Sequence, residues 1–116
     1  MPDTPENQLA ERFRYFRSRH PGWTSVLHEL AESLGHVDPT VEVETVRQKY
    51  GELRVYLRSS TPATDALLRE AAEKSRTTCE QCGRPGALHM SQTRWYRTFC
   101  AECAEEQGYR PAGGAR

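Results

Sequence analysis

The four cysteines of this 116-residue chain form two Cys-x-x-Cys pairs, Cys79/Cys82 and Cys100/Cys103, with seventeen residues between them. Three chemistries use such pairs: dithiol redox cycling, disulfide bonding and metal ligation. A thioredoxin-like redox pair would sit at a strand-to-helix junction in a βαβ setting, and no such pattern surrounds either pair. Disulfides need an oxidising compartment, and no signal peptide is legible. Metal ligation fits best. A tetrahedral zinc ion takes four sulfurs, and two such turns deliver two each when a short hairpin brings them together. Gly83, directly after the first pair, can adopt the positive φ that lets backbone amides point at sulfur.

Four thiolates close the shell of such an ion, whereas a catalytic zinc keeps one position open for water. One zinc, structural, ligated by Cys79, Cys82, Cys100 and Cys103, is therefore the expected cofactor. His89 lies between the pairs, where His-Asn-His endonucleases carry a general base. The companions of that base are missing: no Asp or Glu stands just before His89, and no histidine or asparagine follows Cys103. His89 reads as a polar strand residue, and a degenerate nuclease is the least favoured reading. His20, His28 and His36 fall at helix ends or on helix faces.

The elements that must position these cysteines follow from hydrophobic periodicity. Thr4 caps a first helix with Pro5 at its first position, and Leu9, Phe13 and Phe16 recur along it at helical spacing. Glu11, Arg12, Arg14 and Arg17 fill the outer face, and Pro21-Gly22 ends it. A second helix from about Thr24 buries Val26, Leu27, Leu30 and Leu34, with Gly35 as its expected cap. The period then changes to two. Val41, Val43 and Thr45 alternate with Glu42 and Glu44, and Leu53, Val55 and Leu57 with Arg54, Tyr56 and Arg58. Lys49-Tyr50-Gly51-Glu52 turns between these runs, giving a half-buried antiparallel hairpin with a bulge or strand end near Val46. A third helix opens at Pro62 or Thr64, carries Leu67, Leu68, Ala71 and Ala72, and ends near Arg76–Thr78. Strands over Ala87–Met90 and Arg94–Phe99, joined around Ser91-Gln92-Thr93, complete a zinc ribbon. The expected class is α+β: two N-terminal helices, hairpin, third helix, and a treble-clef-like C-terminal ribbon. The expected division is a helical-hairpin domain over residues 1–76, the ribbon over 77–110, and a disordered tail over 111–116.

Two resemblances rest on these residues. The Cys-Glu-x-Cys-Gly opening and the seventeen-residue gap resemble the zinc finger of DksA/TraR-type regulators of RNA polymerase over Cys79–Cys103, which implies metal ligands only. Across about residues 22–104, the order VRQKYGELRVYL, helix, SRTTCEQCGRPGALH, WYRTFCAEC is similar to small bacterial and phage proteins. Those carry a KFGxLRFY-like segment before a cysteine knuckle. In that group the last ligand is often histidine, where this chain has Cys103. The resemblance implies architecture and a bacterial or phage origin, and no activity.

Sixteen basic and sixteen acidic residues balance, so there is no global polycation to bind nucleic acid. No run approaches the ~18 apolar residues of a membrane span, and the cytoplasm is the expected compartment. Two patches mix arginine with aromatics: Arg54, Tyr56 and Arg58 on the hairpin, and Arg94, Trp95, Tyr96 and Arg97 on the ribbon. Such mixtures suit protein hot spots or stacking on nucleic acid, and equally the ordinary exposed face of a sheet. The sequence thus reads as a non-enzymatic zinc-binding protein, an interaction or regulatory module whose partner is another protein. No small-molecule substrate is expected. A nucleic-acid-binding ribbon is the alternative.

Overall fold

Thr4 Oγ1 accepts the Asn7 N–H at 3.1 Å, and the chain enters α1 (Pro5–Arg12) at its first proline. The computed structural model describes residues 4–12 and 14–112. The expected first helix appears as α1 and α2 (Arg14–Arg19), and Phe13 between them lies outside the described residues. Pro21–Trp23 forms one 3₁₀ turn, and α3 (Thr24–Val37) follows directly. Gly35 does not cap α3. The helix continues two residues further, and Asp38 closes it by donating its N–H to Leu34 O at 2.8 Å. The Asp38 carboxylate then accepts from Thr40 N and Oγ1, and this local turn stops the helix beside Pro39.

Strands β1 (Val43–Lys49) and β2 (Glu52–Leu57) pair antiparallel through the Tyr50-Gly51 turn, where both residues have positive φ. That is the two-residue hairpin geometry whose twist matches its strands. The expected bulge exists, but two residues earlier than the sequence pattern placed it, between Val43 and Thr45. Thr45 therefore turns to the outer face opposite Tyr56, while Val46 opposite Val55 faces the core. Helix α4 (Pro62–Ser75) starts with a capping box, Thr61 and Thr64 exchanging side-chain-to-backbone bonds.

The core of this unit joins Val26, Leu27, Leu30 and Leu34 of α3 to Val43, Leu53 and Val55 of the sheet, with Trp23 fully buried at one end. Polar ties fix the layers. Gln8 of α1 donates to Val41 O at 2.7 Å and accepts Val43 N–H at 2.6 Å. Ser75 Oγ accepts Leu53 N–H at 2.9 Å, joining the end of α4 to the start of β2.

The C-terminal unit contains β3 (Ala87–Met90), β4 (Tyr96–Phe99), α5 (Ala101–Gln107) and the short β5 (Arg110–Pro111). Its sheet order is β4-β3-β5, all antiparallel. Strand β4 begins two residues later than expected. Arg94 sits in the turn with φ 65°, a left-handed conformation no strand residue adopts. Pro111, assigned above to a disordered tail, pairs with His89, and Ala112 N–H donates to Leu88 O at 3.0 Å. Residues 113–116 lie outside the described residues. No helix among the described residues is long and apolar enough to cross a membrane.

Among the contacts that seat this unit on the first are three to backbone oxygens. Trp23 Nε1 donates to Thr78 O at 2.9 Å, and Thr98 Oγ1 donates to Gly51 O at 2.6 Å. Gly22 N–H donates to Glu80 O at 2.6 Å, so closely that a Cβ on Gly22 would overlap the Cys79 carbonyl oxygen and reach within 2.6 Å of Gly83 N. Both obstacles are backbone. Gly22→Ala should cost about 2 kcal/mol or more in urea denaturation, because only undocking the knuckle relieves the overlap. Gly35→Ala should go the other way. The nearest atoms to its new Cβ are Pro5 Cγ and Cδ at 4.0 Å, and an alanine inside α3 should stabilise by about 0.5–1 kcal/mol.

Candidate metal centre

Each knuckle is built by its local backbone. Cys79 N–H donates to Arg84 O (2.7 Å) and Gly83 N–H to Cys79 O (3.0 Å), and Gly83 takes the expected positive φ of 82°. The second pair opens a helix that the sequence reading omitted. Cys100 is the N-cap of α5, and its sulfur accepts the N–H of Cys103 at 3.4 Å. A knuckle, a hairpin and a helix whose first turn carries the last two cysteines make the arrangement treble-clef-like.

The four sulfurs all lie within 4.8 Å of one another. Cys82 Sγ and Cys100 Sγ are 3.7 Å apart, far beyond a disulfide bond and close to the ~3.8 Å edge of a tetrahedron with ~2.3 Å metal–sulfur bonds. Donor type, number and spacing fit a tetrahedral metal ion. The electrostatics agree. The Cys103 N–H pulls the Cys100 thiol down to about 7, whereas burial and then the crowding of its neighbours push Cys103 far up. Four thiols this close cannot all ionise without a cation among them. Cys79 is fully buried, Cys103 nearly so, and Cys82 is exposed.

Between the two ligands of the first knuckle lies a residue whose role the sequence did not reveal. Glu80 is fully buried. Its Oε1 accepts from His20 Nδ1 (2.7 Å) and Arg97 Nε (3.0 Å), and its Oε2 from Gln48 Nε2 (2.9 Å) and Thr98 N (2.7 Å). An ionised carboxylate accepts only, so His20 must carry its proton on Nδ1. Burial pushes the Glu80 carboxyl up, but the His20 bond, with those from Thr98 and Gln48 and the charge of Arg97, outweighs it and holds Glu80 below its ordinary value. The partners lie up to sixty residues away in sequence, which is why local pattern could not find them.

The arginine–aromatic residues do not form one patch. Arg97 is committed inward. Besides Glu80, it donates to Arg19 O at 3.0 Å, and its guanidinium lies 4.7 Å from the centre of the Phe99 ring. Arg54 is paired with Glu52 and Arg58 with Glu42, at opposite ends of β2. Tyr56 is 43% exposed on the outer face of the hairpin. Trp95 is 69% exposed beside the exposed Arg94. Tyr96 meets Tyr50 edge-on at 6.1 Å, so the tips of the two hairpins join in an aromatic edge that includes Tyr50, a residue the sequence reading left out. His89 is buried rather than a simple strand polar group, with Nδ1 2.8 Å from Ala87 O and its ring 6.5 Å from that of Phe99.

All four partners of Glu80 donate, so replacing one carboxylate oxygen by an amide sets donor against donor and leaves Arg97 without its counter-charge. Glu80→Gln should lose about 3 kcal/mol or more in chemical denaturation. Glu42→Gln, which removes one exposed ion pair, should stay within about 0.5 kcal/mol.

The four-cysteine cluster is capable of holding a metal ion and suggests a zinc-binding module; no protein-family model, no curated protein and no solved structure matches this chain, so nothing ties it to either group that its motifs resemble.

Proposed function

We propose that this is a non-enzymatic recognition protein, in which one structural zinc holds the ribbon and an exposed aromatic edge binds another protein. The observation that carries it is the convergence of four sulfurs within one 4.8 Å cluster, joined by no other His, Cys, Asp or Glu donor among the described residues. Cys79, Cys82, Cys100 and Cys103 would hold the ion, and its charge would let the four thiolates coexist while joining the first knuckle to α5. A closed shell leaves no position for water. His89, the residue a nuclease reading would need, spends Nδ1 on its own strand.

Recognition then falls to side chains. Trp95, Tyr50 and Tyr56 are the large aromatic groups exposed on the two hairpins, of the types enriched at energetic centres of interfaces. Three of the four arginines in the mixed patches are neutralised by carboxylates, which makes this edge aromatic rather than cationic. That balance favours a protein partner over a phosphate backbone.

Protein purified without added metal should contain close to one zinc per chain by elemental analysis. Cys82→Ser should remove it and abolish amide protection across Ala87–Phe99, because the ribbon's own core is little more than Phe99, Ala104 and Tyr109 around the cysteines. Against a partner isolated from the host, Trp95→Ala or Tyr56→Ala should weaken binding by about 2 kcal/mol or more, roughly thirtyfold. His89→Ala, if folded, should leave binding unchanged. An enzymatic activity abolished by His89→Ala with the fold intact would overturn the reading.

A further inference from the structure

The chain is neutral as a whole but not along its length. From Arg12 to Arg19 there are four arginines and no acidic residue, so the rest of the chain carries four more acids than bases. Helix α2 occupies most of this segment, and it buries none of its residues. Arg14, Arg17 and Arg19 are exposed, and none of them makes an ion pair among the described residues. Arg54 and Arg58 of the hairpin, by contrast, are paired with Glu52 and Glu42.

What holds α2 in place leaves these guanidinium groups without a counter-charge. Half-buried Phe16 stacks on Trp23 at 6.1 Å, His20 is bonded to Glu80, and Arg97 binds the backbone oxygen of Arg19. Tyr15 is 72% exposed; Arg19 Nη1 reaches its phenol oxygen at 3.2 Å, and the Arg19 guanidinium lies over the ring 5.8 Å from its centre. Arg17 also borders a groove of about 700 Å³ between α1, α3 and the first knuckle. Unneutralised guanidinium groups around an exposed aromatic ring are the chemistry that tracks a phosphodiester backbone while stacking one base.

We infer that α2 is a binding site for single-stranded nucleic acid, with Arg14, Arg17 and Arg19 on phosphates and Tyr15 under an unpaired base. A single strand is the fit because a base paired in a duplex has no free face to offer Tyr15. The site uses different residues from the aromatic edge, so it stands whether or not that edge binds protein.

The test is fluorescence anisotropy with a labelled twenty-nucleotide single strand of mixed sequence and the full chain, zinc-loaded. Three phosphate contacts predict binding that falls roughly twentyfold between 50 and 200 mM salt. The triple substitution Arg14→Gln, Arg17→Gln, Arg19→Gln should weaken binding at 50 mM by roughly tenfold or more, and the corresponding triple change to lysine should restore most of it. Tyr15→Ala should cost about fivefold or more, and Trp95→Ala should leave this binding within about twofold. Absence of binding at 50 mM salt would overturn the proposal. So would binding that survives the glutamine triple but is lost in Trp95→Ala, which would place the site on the ribbon. A duplex competing as well as the single strand would overturn the stacking assignment, and salt-sensitive self-association lost in the triple variant would assign α2 to a second copy of this chain instead.

Discussion

One buried carboxylate decides how the two halves of this protein meet. Glu80 has no exposed surface, and a charge in that position is tolerable only if every lone-pair direction is filled. The four donors that fill them come from the end of α2, the end of β1 and from β4. Those elements can satisfy Glu80 only in one mutual arrangement. The interaction is directional as well as strong, so it specifies the docking in a way that apolar contact alone would not. Its position between two cysteine ligands also means that the knuckle cannot close around a metal without placing the carboxylate.

The rest of the interface follows from that placement. With Glu80 turned inward, its backbone oxygen meets Gly22 N–H, and only a residue without a side chain fits the gap. Trp23 is then carried into the end of the first core, where its indole N–H finds Thr78 O just before the first ligand. On the other side, Thr98 donates its N–H to Glu80 and its hydroxyl to Gly51, so one residue of β4 joins the knuckle and the turn of the first hairpin. The cysteine cluster is therefore supported from three directions by the N-terminal unit. The small core around Phe99 and Ala104 needs that support, since so little apolar area is buried within it.

The surface shows how a neutral protein can still present charge. On the hairpins, most arginines have a carboxylate within reach, and the exposed aromatics remain as the distinctive groups. On α2, the arginines have no such partner, and the nearest structural bonds are made by backbone or by Phe16 and His20. Net charge describes neither surface. What matters is whether a cation already has a counter-ion at contact distance, because a paired guanidinium must give up that partner before it can bind another.

Much of the architecture was legible in the amino-acid order because it rests on local rules. The cysteine spacing, the cap at Thr4, the alternation in Leu53, Val55 and Leu57, and the Tyr50-Gly51 turn depend on residues a few positions apart. So does α5, which the Ala- and Glu-rich run ending at Gly108 could have revealed, Gly108 being the left-handed cap. Other features belong to the tertiary structure alone. The bulge fell at Glu44 instead of Val46 because register is set by what packs across the strands and not by one strand's alternation. Gly35 stayed helical because Asp38 and Thr40 offered a better stop. Arg97 read as a surface group and is in fact held inward, and Glu80 read as a spacer between ligands. Both assignments depend on partners seventeen to seventy-eight residues apart, and a sequence states which groups it contains but not which of them will share a desolvated site.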